Sequence, residues 1–142
     1  MKRSRITRHV DFADCDPAQL VFYPTFYQWF DRGAERLFRS VDLHWEKMIG
    51  ADMEGELFAG VPLVETSARF LFPCRFGDVV EVESWIDEWA GRTFTMRHNV
   101  HNKDRIACEG REMRVWAVRD ESRPAGIRAV PIPESILVKF RE

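Results

Sequence analysis

Asp14-Cys15-Asp16-Pro17-Ala18-Gln19-Leu20-Val21-Phe22-Tyr23-Pro24-Thr25-Phe26-Tyr27-Gln28-Trp29-Phe30-Asp31 is the stretch on which the fold turns. Two carboxylates flank a thiol and an apolar run follows. Pro24 then suits the first helical position, where its missing N–H would lack a partner anyway. Behind it Phe26, Tyr27, Phe30, Ala34, Leu37, Phe38 and Val41 recur at helical spacing, with the helix ending near Ser40. Phe22, Tyr23 and Trp29 widen the stripe until the first two turns are apolar almost all round. A helix of that kind is buried on most sides, inside a sheet that wraps it. Asp16 lies just ahead of the helix start, where unpaired N–H groups and the macrodipole favour negative charge. A carboxylate beside such donors can attack or deprotonate while they hold a developing oxyanion, which suits acyl transfer.

Length and composition bound what surrounds this stretch. A chain of 142 residues fits a single domain, 1–142, with room for a core, and 11 Phe with 5 Trp make that core bulky. A net charge of -2 and a pI near 6.1 argue against a general nucleic-acid binder or a binder of anionic membranes. No apolar run reaches membrane-spanning length, and Met1-Lys2-Arg3-Ser4 is followed by no apolar region. Cys15, Cys74 and Cys108 are odd in number and widely spaced, which fits a reduced, cytoplasmic setting and no metal site.

Arg5 to Phe12 reads as a first strand, followed by the Asp16 loop and the long helix. Asp42 is placed to cap a short second helix stopped by Gly50, and Ala51 to Gly60 reads as a loop. Val61 to Pro73, Val79 to Trp89, Thr93 to Asn102 and Ile106 to Val118 read as consecutive strands joined by short turns. Val80, Val82 and Ile86 share one face, which puts Glu81, Glu83, Trp85 and Trp89 on the other, a surface for a partner subunit. Gly110 suits a bulge at which the inward set of the last strand shifts to Met113, Val115 and Ala117. The tail from Arg123, with three prolines, is expected to cover a sheet edge before a short final turn. A helix followed by a meander gives an α+β layout with helices on one face of an antiparallel sheet.

The run Asp14-Cys15-Asp16-Pro17-Ala18, Val21-Phe22-Tyr23-Pro24, Tyr27 and Trp29-Phe30-Asp31 resembles the signature of 4-hydroxybenzoyl-CoA thioesterases, within the hotdog-fold acyl-CoA thioesterases. The likeness continues through Gly60-Val61-Pro62, Glu88-Trp89, Arg97-His98 and Arg114-Val115. It implies a hotdog fold, a curved antiparallel sheet around one long helix. It also implies hydrolysis of an aryl- or medium-chain acyl-CoA to the free acid and coenzyme A, with no cofactor, since coenzyme A is part of the substrate. Subunits would pair as a homodimer or homotetramer, with sites between them.

Read from pattern alone, Asp16 is either a turn cap or a catalytic acid; the resemblance implies that it attacks the thioester carbonyl or activates water. The resemblance likewise gives Tyr23 its role through the backbone N–H, aimed at the thioester oxygen, while its ring packs. Asp31 lies about 12 Å further along a helix rising 1.5 Å per residue, and the resemblance implies that it meets the distal end of the acyl group. Otherwise it is an ordinary helix carboxylate. Trp29 lines the same pocket or the core. Arg92 and Arg128 match positions that meet coenzyme A phosphates, although Ala90-Gly91 stand where relatives carry basic residues. Cys15 lacks a base, and its flanking acids oppose a thiolate. Asp14 reads as a structural acceptor, and Glu65 as a face residue. His98 and His101, three apart on a strand, point to opposite faces and make no metal pair. The competing reading is a non-catalytic acyl-thioester binding or scaffold protein, which has no need of a carboxylate at the helix start.

Overall fold

A computed structural model describes residues 1–141. In chain order it holds β1 (Arg3–His9), a 3-10 turn (Phe12–Asp14), α1 (Tyr23–Ser40), α2 (Trp45–Met48), β2 (Asp52–Met53) and β3 (Glu56–Gly60). There follow β4 (Leu63–Phe70), β5 (Val79–Ala90), β6 (Thr93–Asn102), β7 (Arg105–Val115), β8 (Ala117–Arg119), β9 (Ile127–Ala129) and α3 (Glu134–Phe140). Five antiparallel strands in the order β1-β5-β6-β7-β4 form the main sheet, and β2-β3-β8-β9 form a smaller one. The layout is the α+β arrangement that the helix-then-meander order predicts. No helix among the described residues is long and apolar enough to cross a membrane.

The face of α1 that reads as apolar in the sequence is the one that is buried. Its first half places Phe26, Trp29 and Phe30 among Val10, Val80, Val82 and Val100. Its second half places Ala34, Leu37 and Phe38 among Ile86, Phe94, Met96 and Trp116. Between these two apolar groups a polar band crosses the sheet. His98 on β6 is paired with Ser84 on β5 and with Gly110 on β7, and Glu112 stands two residues further along β7. Gly33 passes directly over this band: a Cβ there would sit 2.2 Å from Ser84 Oγ. Gly110 is required for the same reason, because a Cβ would come within 2.5 Å of the Phe30 ring.

Several expectations change in three dimensions. Gly110 marks no bulge. The register of β7 runs unbroken past it, and its lack of a side chain serves the close approach of Phe30. From Cys108 onward the inward set does not shift, and Cys108, Gly110, Glu112, Arg114 and then Trp116 all face the core. Two charged residues sit inward because they satisfy each other and their neighbours. Trp89 does not lie on the outer face: the register slips between Ile86 and Glu88, which turns it inward against Phe94 and Phe140, 5.2 Å from each ring. Trp85 keeps the outer face, half-buried under the Arg3 guanidinium 4.0 Å above its ring.

The remaining departures are local. Ala51 to Gly60 is not a loop but the β2–β3 hairpin, turned by Glu54 and Gly55 at φ 57° and 85°. A glutamate in left-handed conformation is not a turn signal that composition reveals. Asp42 does not cap α2. It takes φ 64° and hydrogen-bonds His44 Nε2 at 2.9 Å, and His44 is the N-cap. The tail adds β9 to the edge of β8 and ends in α3, whose Ile136 is buried.

The buried band is stable only while its charges are paired. Glu112 and His98 are almost wholly buried, and Glu112 Oε1 accepts from His98 Nε2 at 2.9 Å. Arg114 donates to both Glu112 oxygens, at 3.3 and 3.1 Å, and to the Val61 carbonyl at 3.0 Å. Burial pushes the Glu112 carboxyl up, but the His98 hydrogen bond and the His98 and Arg114 charges hold it below its ordinary value of 4.5. With the folded value depressed, the stability Glu112 contributes is fully present above its unfolded value and is lost as pH falls through the depressed one. Melting temperature should thus fall on acidification below about pH 4.5. Glu112→Gln should flatten part of that fall and, by leaving Arg114 without its buried counter-charge, cost about 3–5 kcal/mol at pH 7. An acid limb identical in the variant would show that Glu112 does not titrate there.

Candidate active site

The Asp16 loop is shaped by its own backbone. Asp16 N–H donates to the Leu20 carbonyl at 2.8 Å and Gln19 N–H returns to the Asp16 carbonyl at 2.9 Å, with Gln19 at φ 63° to close the turn. Asp16 Oδ1 accepts from Ala18 N–H at 2.9 Å and, more weakly, from Leu20 N–H at 3.3 Å. Asp16 is thus a turn cap through one oxygen. Its other oxygen takes no hydrogen bond, and the residue forms no ion pair, among the described residues. Asp14 ties the loop to the helix: its carbonyl accepts from Phe22 N–H at 2.8 Å and Thr25 Oγ1 at 3.2 Å. Its side chain accepts from Asp11 N–H at 2.9 Å, the structural acceptor role read in the sequence.

The helix start presents the donor that this carboxylate lacks. α1 begins at Tyr23 with Pro24 second, one residue earlier than predicted, and Phe22 caps it without a side-chain bond. As the first helical residue Tyr23 has no intrahelical acceptor for its N–H, and none of the described residues supplies one. Asp16 and Tyr23 line one cleft of about 430 Å³, walled by Phe22, Phe26, Phe70, Leu71 and Phe72. Asp16, Tyr23 and an apolar wall stand together. A carboxylate near a free N–H can attack a carbonyl and stabilise its oxygen.

Asp31 and Trp29 border a second depression on α1, of about 490 Å³, with Tyr27 and Leu63. Tyr23, Tyr27 and Asp31, spaced four apart, form one row along the helix. Trp29 is itself buried in the core, its ring 5.4 Å from that of Phe26. Asp31 is exposed, with one oxygen 2.9 Å from Arg114 Nη2. Arg92 and Arg128 lie elsewhere. Arg92 is exposed in the turn after β5, a strand that starts beside the Asp16 loop and runs up to roughly 35 Å at 3.3 Å per residue. Arg128 on β9 is tied to Glu56 and, at 3.3 Å, to Asp120. Glu65 is exposed on β4, 3.4 Å from Arg111.

Ser84, His98 and Glu112 form a chain that the sequence reading did not assemble, with Ser84 Oγ 2.7 Å from His98 Nδ1. The signal was present: each is a polar residue at an inward position of an otherwise apolar strand face. Serine, histidine and carboxylate in this order suggest a nucleophile, but all three lie sealed beneath α1, where no thioester carbonyl can reach.

A sheet wrapped on one long helix, with an acidic loop ahead of that helix, is the layout of the hotdog-fold thioesterases. The thioesterase-like superfamily matches residues 10–140, and the chain belongs to that family. It is 29% identical over 132 residues to the 4-hydroxybenzoyl-CoA thioesterase of Pseudomonas sp. (strain CBS-3), covering 89% of each. A solved 4-hydroxybenzoyl CoA thioesterase, mutated from aspartate to asparagine and complexed with 4-hydroxybenzoyl CoA, matches with a TM-score of 0.86 at 26% identity over 99% of both chains. A gentisyl-coenzyme A thioesterase matches with a TM-score of 0.79 at 28% identity, over 98% of this chain and all of that one. The expected hotdog fold and thioester-hydrolase class are borne out.

The surroundings of Cys15 oppose a reactive thiolate. Burial, then the charges of Asp14 and Asp16, push its thiol up, and Sγ lies 3.4 Å from the Asp11 carbonyl as a donor. Cys15→Ser should keep thioester hydrolysis within a few-fold of wild type in a free-thiol release assay. A loss of about a hundredfold or more would restore the cysteine as a nucleophile.

Proposed function

We propose that this chain hydrolyses an acyl-CoA whose acyl group is aryl or medium-length, 4-hydroxybenzoyl-CoA being the type, to the free acid and coenzyme A. The observation that carries the reading is the Asp16 carboxylate, unpaired on one oxygen, in an apolar cleft that is also lined by Tyr23, whose N–H has no acceptor among the described residues. Asp16 either attacks the thioester carbon, giving an anhydride that water then cleaves, or takes a proton from the attacking water. In both routes the Tyr23 N–H donates to the carbonyl oxygen as negative charge gathers there. Coenzyme A leaves as the thiolate and becomes the thiol by taking a proton from solvent or, in the second route, the one that Asp16 removed from water. The reaction as proposed uses no metal and no cofactor beyond the coenzyme A of the substrate.

The acyl group runs from Tyr23 past Tyr27 toward Asp31, with Trp29 at the border. The carbonyl and hydroxyl oxygens of a hydroxybenzoyl group are roughly 7 Å apart; two hydrogen bonds of about 2.8 Å each extend that reach to about 12 Å. This matches the eight residues of helix between Tyr23 and Asp31.

Association of subunits completes the site in this reading. β4 is an edge strand with Leu63, Val64 and Phe70 exposed, an unpaired apolar edge suited to a second copy. Arg92, in the turn after β5, and Arg128, on β9 of the smaller sheet, line no part of the Asp16 cleft; in this reading they meet coenzyme A phosphates at the site of a neighbouring subunit, in a dimer or tetramer. The three unpaired cysteines suit a reducing compartment such as the cytoplasm.

Asp16→Asn tests the chemistry. With 4-hydroxybenzoyl-CoA, kcat should fall roughly 10³- to 10⁴-fold while the substrate still binds. A variant within tenfold of wild type would remove Asp16 from catalysis. Tight acyl-CoA binding by the wild type, without thiol release from aryl, short, medium or long acyl-CoAs, would make the protein a binder instead.

A further inference from the structure

One charged group in the core has no part in the chemistry above. Arg114 is buried, its side chain 5% exposed, yet one nitrogen reaches out of the core to Asp31, whose side chain is 57% exposed. Buried arginines are costly unless every charge is answered, and here every one is. Arg114 Nε and Nη2 bond Glu112, Nη1 bonds the Val61 carbonyl, and Nη2 also bonds Asp31 Oδ1 at 2.9 Å. Glu112 is fixed in turn by His98, and His98 by Ser84 and by the Phe30 ring stacked 4.9 Å away. The chain Ser84–His98–Glu112–Arg114 is thus a rigid strut that begins under Gly33 and ends on the exposed face of α1.

We propose that Arg114 is a specificity-determining positioning residue: anchored by Glu112, it fixes Asp31 as a hydrogen-bond acceptor for a hydroxyl at the distal end of the acyl group. The inference rests on the thioesterase reading and on the acyl path along the Tyr23–Tyr27–Asp31 row. A carboxylate on an exposed helix face sweeps several rotamers, and ordering it for each substrate costs entropy. Arg114 removes that freedom by holding Oδ1, which leaves Oδ2 as an acceptor of set direction. A site built to bond a hydroxyl rejects the analogue lacking it, because the polar group of the protein is then left unpaired. The substrate class follows: acyl groups bearing a neutral hydroxyl donor are favoured over the same groups without one. A distal carboxylate is repelled by Asp31.

The test compares kcat/KM for 4-hydroxybenzoyl-CoA with that for benzoyl-CoA in the wild type, Asp31→Asn, Arg114→Met, Arg114→Lys and the Asp31→Asn/Arg114→Met double variant. In the wild type the hydroxylated substrate should be preferred. Asp31→Asn and Arg114→Met should each lower that preference by at least about tenfold. The double variant should lose no more than Asp31→Asn alone, and Arg114→Lys should restore part of the loss. If Arg114→Met slows both substrates equally, Arg114 only supports the fold and the proposal is overturned. Asp31 is exposed, so its variant should fold even where Arg114→Met does not; an unchanged preference in Asp31→Asn overturns the proposal by itself. Should no acyl-CoA be hydrolysed, the thioesterase reading fails separately. The same preference is then read as a ratio of affinities for unhydrolysable thioether analogues of the two substrates, with the same outcomes.

Discussion

The close seating of α1 on the main sheet is the constraint from which the rest follows. Two residues without side chains allow it, Gly33 on the helix and Gly110 on β7, with Ser84 and Phe30 filling the space a Cβ would need. Phe30 can then lie flat on His98 while its helix stays in contact with both apolar groups of the core. Because the helix cannot lift or slide, its first turn is fixed relative to the loop before it. Catalysis of the proposed kind depends on that fixity, since a donor and a carboxylate must hold their places before any charge develops.

The same seating explains why a core this apolar carries a band of ionisable groups. Under Gly33 the space is taken by Ser84, and the band that starts there is satisfied throughout: Ser84 to His98, His98 to Glu112, Glu112 to Arg114. Replacing such a band by hydrophobic residues is often neutral for stability. Its value here lies in geometry. Hydrogen bonds have direction where apolar contacts do not, and Arg114 carries that direction from the core to the surface carboxylate Asp31. The proposed reaction divides the chain's work between a reacting end at Asp16 and Tyr23 and a selecting end at Asp31, joined by one helix.

Particular residues show where sequence reading succeeds and where it stops. α1 was legible from Pro24 and the aromatic repeat, and β5 and β6 from alternation, because in each case the period of the side chains matches the period of the backbone. Alternation puts Trp89 on the wrong face, since one extra residue in β5 reverses the face of everything beyond it, and no local signal at Ile86 or Glu88 announces the slip. Gly110 was read as a backbone feature when its role is to make room for Phe30, eighty residues earlier. Glu112 and Arg114 were passed over because charged residues in a strand ordinarily mark its wet face. The place of Asp16 ahead of the helix start was legible because its spacing from Pro24 is local. The strut behind Asp31 was not, its members being distant in sequence.

The sequence by itself determined that a long apolar helix follows an acidic turn and that strands then succeed one another to cover it. Periodicity and helix-end chemistry are written in adjacent residues, so these need no partner to be read. Only the tertiary structure decided which side of β7 is buried, where the register slips, and that Arg114 spans from the core to Asp31. Those outcomes are settled by shape and charge meeting across the fold, between residues far apart along the chain, where no local pattern can record them.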